Sequence, residues 1–340
     1  MQFSHCSGCW CSGSIGQRLP AYLRLGFRLE TGLCAALLTT IEVAVIEYLY
    51  LGRVGYDEGL RLQAEIAELR LQGRVDNVLL LLEHPPVLTL GRNAHRGNIL
   101  ASDELLARRG VTVHEINRGG DVTYHGPGQL VGYPIFDLRT LRNRNGGRMG
   151  PVDFVRLMEE ALIRLCSGFG VSAGRIAGLT GVWCGVITGN REHGTGNKPP
   201  AEQSASAGAE RKIGAIGIHV SRGITSHGFA FNVTTDLSDF GLIVPCGIPD
   251  HAVTSLEVEA DRPEGLPGLE AVAHQAAHQF GLVFDQKVLA VESLATLRAR
   301  CEAASPAEFP APAFPAEGTP LQVPPEVQRL RDPKGHPIQA

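Results

Sequence analysis

NRGGDVTYHGPGQLVGYP, residues 117–134, sets an arginine, a glycine pair, a threonine and a histidine ahead of Gly-Pro-Gly and then runs into an apolar segment. Residues 129–136 have the short, apolar, partly β-branched character of a strand. Gly-Pro-Gly before a strand is ordinary turn chemistry. Glycine pairs beside an arginine also let the backbone approach a ligand while the guanidinium holds a carboxylate, phosphate or carbonyl. Both readings stand on these residues. The run contains neither GxxxxGK[ST] nor GxGxxG, so it is not a phosphate loop.

Outward from this stretch the chain alternates between strand-like and helix-like segments. Residues 43–50 and 77–83 are apolar runs of strand type, and GVWCGVI (181–187), KIGAIGIHV (212–220) and HGFAFNV (227–233) follow as further strands. Residues 57–72 and 153–168 carry apolar side chains at helical spacing, the second through Phe154, Leu157, Met158, Leu162 and Leu165. This order predicts an α/β sandwich around one mixed sheet rather than a strict βαβ repeat.

Three regions depart from that pattern. Residues 1–40 read as a leader. Residues 188–210 are rich in Gly, Ala, Ser and Pro without apolar periodicity, and read as a flexible insertion. The tail, residues 301–340, holds nine of the 21 prolines and reads as extended. Residues 41–300 are left as the folded domain.

A formal charge of -4 and a pI near 6.3 give no basic field for a phosphate backbone, so nucleic acid is not an expected partner. The most hydrophobic window, residues 33–51, contains Glu42 and Glu47, which are costly in a bilayer. No membrane partner is expected, and the location is read as cytoplasmic. Eight cysteines at irregular spacing are too sparse for a disulfide scaffold, so reduced thiols are expected. HCSGCWC offers His5, Cys6, Cys9 and Cys11 at metal-like spacing but no second pair completes a tetrahedral site. HQAAH (274–278) has zincin spacing without the glutamate, and reads as one face of a C-terminal helix. Neither is assigned a metal.

Two further residues invite chemistry. Lys212 is one of only four lysines among 31 basic residues and opens an apolar strand containing Gly214 and Gly217. A lysine can lose its proton when partly buried and act as a base. It can equally be a strand-end amine reaching water. Cys246, in IVPCGI, sits between proline and glycine on a turn that would present its thiol and its neighbouring N–H groups. Nucleophile and structural cysteine both remain open for it. Cys166 and Cys184 lie in a helix and a strand, where a thiol is mostly a small buried hydrophobe.

RGGDVTYHGPGQLVGYP (118–134), RKIGAIGIHVSRGITSHGFAFNV (211–233) and LIVPCGI (242–248), with LLEHPPVLTLGR (81–92) in support, resemble the lipoyl(octanoyl) transferases of lipoate biosynthesis in order and spacing. The resemblance spans roughly residues 43–284 and does not extend to leader, insertion or tail. It implies the fold of the biotin and lipoate protein ligases, and transfer of an octanoyl group from octanoyl-acyl carrier protein to a lysine of a lipoyl domain. The acceptors implied are the lipoyl domains of 2-oxoacid dehydrogenase E2 subunits and the glycine cleavage H protein. By resemblance the acyl group passes through a thioester on Cys246, with Lys212 as its acid and base. Arg118, Gly119, Gly120, Asp121, Val122, Thr123, Tyr124 and His125, then Ala215, Ile216 and Gly217, then Gly228, Phe229 and Ala230, line the acyl site. His125 and His227 orient a catalytic group or the substrate carbonyl, or are merely satisfied by neighbouring carbonyls. No cofactor is implied, since thioester-to-amide transfer is downhill without ATP. An amidotransferase moving octanoyl between lipoyl domains, an ATP-dependent ligase and a non-enzymatic lipoyl-domain binder are the alternatives.

Overall fold

The computed structural model describes residues 44–143, 145–186, 210–244, 252–261 and 265–303. In chain order the elements are β1 (Val45–Arg53), α1 (Tyr56–Leu71), β2 (Asn77–Glu83), β3 (Val87–Leu90), α2 (Asp103–Arg108), β4 (Thr112–Glu115), β5 (Val122–His125), β6 (Gln129–Ile135) and α3 (Pro151–Gly168). There follow β7 (Ala173–Ile176), β8 (Leu179–Cys184), β9 (Arg211–Ser221), β10 (Ile224–Asn232), β11 (Ala252–Val253), α4 (Leu256–Glu259), α5 (Leu269–Phe284), β12 (Lys287–Ala290) and α6 (Leu294–Ala303).

A nine-stranded mixed sheet runs in the order β12-β1-β2-β6-β10-β9-β8-β7, with β11 beside the start of β9. The β12–β1–β2 strands are parallel and the rest of the main path is antiparallel. The sandwich expected from the sequence is present. Side-chain alternation in β2 explains why: Leu79 and Leu81 pack into the core under α3 and α5, while Val78, Leu80 and Leu82 pack with Leu62 and Ile66 of α1. A strand buried on both faces reads as a continuous apolar run, as NVLLLLE does. Phe280 of α5 stacks on both Phe229 and Phe284 and closes the first of these cores.

Local signals set the helix ends. Pro151 occupies the first turn of α3, where its missing N–H costs nothing, and the Asp153 carboxylate accepts the Gly150 N–H at 3.2 Å. β9 and β10 meet through Arg222 and Gly223, whose φ values of 50° and 85° are those of a two-residue hairpin turn.

The single sheet expected from sequence gains a companion, a three-stranded sheet β4-β3-β5. Its strands have four residues each, too few for a period to register. The packed chain also reaches Ala303, because α6 buries Leu297 and Cys301 and the Cys301 carbonyl accepts from Arg74 at 2.6 Å. Residues 1–43, 187–209 and 304–340, which hold nearly all of the leader, insertion and tail, lie outside the described residues, as does HCSGCWC. HQAAH falls on α5, where His274 and His278 face outward and Tyr48 bonds His274 Nδ1 at 3.0 Å. No helix of the described residues is long and apolar enough to cross a membrane.

Candidate active site

A cavity of about 240 Å³ lies between β5, β6, β9, β10 and the β7–β8 hairpin tip. It is small beside the ~300–1,000 Å³ typical of ligand pockets. Its walls bring together the separate sequence motifs: Arg118, Gly120, Asp121, Thr123 and His125 from one, Lys212, Ala215, Ile216 and Gly217 from the second strand pair's first arm, and His227, Gly228, Phe229 and Ala230 from its other. Glycines make these walls thin. A Cβ on Gly217 would stand 2.6 Å from the Gly119 carbonyl oxygen, and one on Gly228 would collide with Gly132 and Pro134.

Arg118 is fixed by the supporting motif at residues 81–92. Its Nη2 donates to the Thr89 carbonyl at 2.7 Å and to Thr89 Oγ1 at 2.9 Å, and its Nη1 to the Gly119 carbonyl at 3.0 Å. The guanidinium is a permanent cation in the wall. Asp121 accepts from Asn98 Nδ2 at 2.7 Å.

The histidines around that cation are neutral. Burial, followed by the Arg118 charge, depresses His227 to about 4. Burial, with His84 next, takes His125 to about 3, and burial takes His84 to about 4. The backbone carbonyl of Val54 accepts from His84 Nδ1 at 2.7 Å, so His84 Nε2 accepts the Tyr133 hydroxyl proton at 2.6 Å. His227 adopts φ 56°, rare for a side-chain-bearing residue, and is held there by Gln63 Oε1, which accepts its backbone N–H at 2.7 Å, and by Asn117 Oδ1 on Nε2 at 2.7 Å.

Depressed histidines carry a pH signature. Their stabilising effect is complete above the unfolded value near 6.5, and is lost as pH falls from there towards 4, because the unfolded chain takes the protons first. His84 and His227 should each cost roughly 3 kcal/mol by pH 4. Urea unfolding measured from pH 7.5 to 4.5 should show stability falling only below about 6.5, and His84→Gln should flatten that slope. A slope unchanged by His84→Gln would mean that this histidine is not neutral in the fold.

Lys212 is 8% exposed, and its Nζ lies 4.6 Å from the centroid of the Trp183 ring. Val253 pairs with Lys212, and Thr254 N–H donates to the Lys212 carbonyl at 2.9 Å. The chain on the other side of residues 245–251 is tied down as well, with Val244 N–H on the Asn98 carbonyl at 2.8 Å. Cys246 itself lies outside the described residues.

Three of the residues that the resemblance sets at the acyl site do not border this cavity. Val122 and Tyr124 alternate with Thr123 and His125 along β5 and point into the core of the small sheet, where the Tyr124 hydroxyl donates to Asp239 at 2.8 Å. Gly119 serves through its backbone, donating N–H to the Ile218 carbonyl at 3.0 Å. The cavity also takes in residues that the sequence did not single out: Val131 and Tyr133 of β6, and Gly178, Leu179 and Thr180 at the β7–β8 tip. Tyr133 was visible only as part of the VGYP strand, and nothing local marks the tip beyond its glycine.

The catalytic-domain model described as lipoyl protein ligase A/B matches residues 55–280. The chain belongs to this lipoyl protein ligase A/B family. Within the family it groups with octanoyltransferases, and is an acyltransferase. The octanoyltransferase of Acidobacterium capsulatum is 58% identical over 250 residues, covering 73% of this chain and 94% of that protein. That of Koribacter versatilis is 49% identical over 250 residues, covering 74% and 88%. The fold of the lipoyl protein ligase A/B family is also seen in the bi-partite lipoate protein ligase of an archaeal lipoylation system from Thermoplasma acidophilum, with TM-score 0.52 at 15% identity over 76% of this chain and 91% of that one.

Proposed function

We propose that this enzyme moves an octanoyl group from octanoyl-acyl carrier protein to a lysine of lipoyl domains, through a thioester on Cys246. One observation carries the reading: a buried lysine, Lys212, faces a small cavity walled by glycine backbone, which suits a slim alkyl chain better than a nucleotide. The octanoyltransferase relatives supply the acyl group.

The steps balance without ATP. The Cys246 thiolate attacks the carrier thioester, the C–S bond to the carrier breaks, and the Lys212 ammonium protonates the departing thiolate. The neutral amine of the acceptor then attacks the enzyme thioester. A C–N bond forms, the C–S bond to Cys246 breaks, and Lys212 takes the amine's proton back. Arg118, with the neutral His125 and His227, borders the cavity in which these charges develop. The other cysteines that the structure describes are poor candidates for the nucleophile. Cys166, Cys184 and Cys301 are buried, and burial pushes each thiol up, Cys184 to about 12.

On this reading residues 41–300 form the catalytic domain, with residues 188–210 an insertion, and the work is done in the cytoplasm. E2 lipoyl domains and the glycine cleavage H protein are the acceptors, by their lipoyl lysines. Isolated octanoyl-enzyme mixed with a lipoyl domain should give octanoylated acceptor with neither ATP nor magnesium. A strict need for ATP would replace the transferase with a ligase.

Lys212→Met should leave the fold intact and slow acyl uptake about a hundredfold, because the ammonium that favours the thiolate is gone. Alkylation of Cys246 followed against pH reads the effect directly, and the midpoint should move up. An unmoved midpoint would confine Lys212 to the second step.

A further inference from the structure

Behind the cavity wall a line of buried amides runs from the backbone to His125. The Thr254 carbonyl accepts from Asn232 Nδ2 at 2.8 Å, Asn232 Oδ1 accepts from Gln129 Nε2 at 2.9 Å, and Gln129 Oε1 lies 2.7 Å from His125 Nδ1. Gln129 Nε2 donates to the Tyr124 carbonyl as well, at 3.1 Å. Each amide is thereby fixed in orientation, since turning Gln129 over would set its oxygen against two carbonyl-type oxygens, and turning Asn232 over would do the same at Thr254. All three side chains are buried, Gln129 almost completely.

The direction of the line has one chemical result. Gln129 offers His125 only an acceptor, so the proton of the imidazole sits on Nδ1, and Nε2 is left bare. Among the described residues Nε2 has no hydrogen-bond partner, and His125 and Lys212 both line the cavity. A bare imidazole nitrogen at that place fits an N–H donor.

We infer that Gln129 and Asn232 are positioning residues: they lock His125 as its Nδ1–H tautomer, so that Nε2 accepts a hydrogen bond from the attacking amine and aims the nitrogen lone pair at the thioester. The inference rests on the acyl-transfer reading for its substrate. The proton itself still goes to Lys212. Thr254 gives the line a backbone anchor, so the tautomer is set by main-chain geometry rather than by solvent.

Histidine-labelled protein observed by ¹⁵N NMR at neutral pH tests the lock in the wild type, with His125→Asn identifying the resonance. The expected pattern is a protonated Nδ1 and a bare Nε2, and an Nε2–H or mixed pattern overturns the inference whatever the variants do. Gln129→Met should shift that pattern towards a mixture and lower kcat for transfer to a lipoyl domain about tenfold or more, with KM for the domain unchanged. Asn232→Leu, which frees Gln129 to turn over, should give a milder form of both changes. A tautomer that shifts while kcat holds would overturn the positioning role. A wild type that shows the Nδ1–H pattern but moves no octanoyl group overturns the acyl-transfer reading instead.

Discussion

Cys246→Ser enzyme mixed with octanoyl-carrier protein should gain no hydroxylamine-labile octanoyl mass, and its transfer to a lipoyl domain should fall by roughly a thousandfold or more. The wild type should gain one such mass. A thiol with an ordinary pKa near 8.5 gives a usable fraction of thiolate beside a cation, whereas a serine hydroxyl has no accessible anion and Lys212 alone is a poor base for it. The structure narrows the alternatives, since Cys166, Cys184 and Cys301 are buried. Peptide mapping of the wild-type adduct is decisive. An octanoyl group found on any other cysteine would remove Cys246 from the mechanism, and full activity in the serine variant would remove the thioester altogether.

Gly228→Val should unfold the enzyme at markedly lower temperature. A Cβ at this position would fall on the Gly132 carbonyl oxygen and the Pro134 ring of the neighbouring strand, and backbone cannot step aside as a flexible side chain can. Overpacking of this kind typically costs about 1–3 kcal/mol, and the added branches place this case at the top of that range or beyond it. For a protein of this size that is a fall of about 10 °C in Tm. Gly241→Ala is the control, since nothing lies within 4 Å of its Cβ, and it should stay within about 0.5 kcal/mol of wild type. A Gly228→Val melting curve matching the control would mean that β6 and β10 are not packed as described.

The long elements were legible because they repeat a pattern. NVLLLLE and QLVGYPI announce strands buried on both faces, and α3 shows its stripe through Phe154, Met158, Leu162 and Leu165. The small sheet was not legible, because four residues of VLTL, TVHE or VTYH hold too little periodicity. Val122 and Tyr124, which the resemblance sets at the acyl site together with Thr123 and His125, turn into the core of that small sheet, because a strand shows alternate residues to opposite sides. Other features depend on partners far apart in sequence, which no local pattern discloses. Thr89 clamping Arg118 and Tyr133 bonded to His84 are both of that kind.

The tight turn at Arg222 and Gly223 gives the β9–β10 hairpin no slack in length. Its register sets Gly217 opposite Gly228 and Ala215 opposite Ala230, so the thin parts of two walls coincide. Insert a single residue at the turn and one arm slides past the other, while the side-chain period of two sends its inward set outward. The two glycines would then stand opposite Ile216 and His227, or opposite Ile218 and Phe229, according to the direction of the slip, bulk would replace space, and the bore would close without any lining residue having been mutated. Point changes in this hairpin can be graded one side chain at a time, but a change in its length alters the whole channel at once.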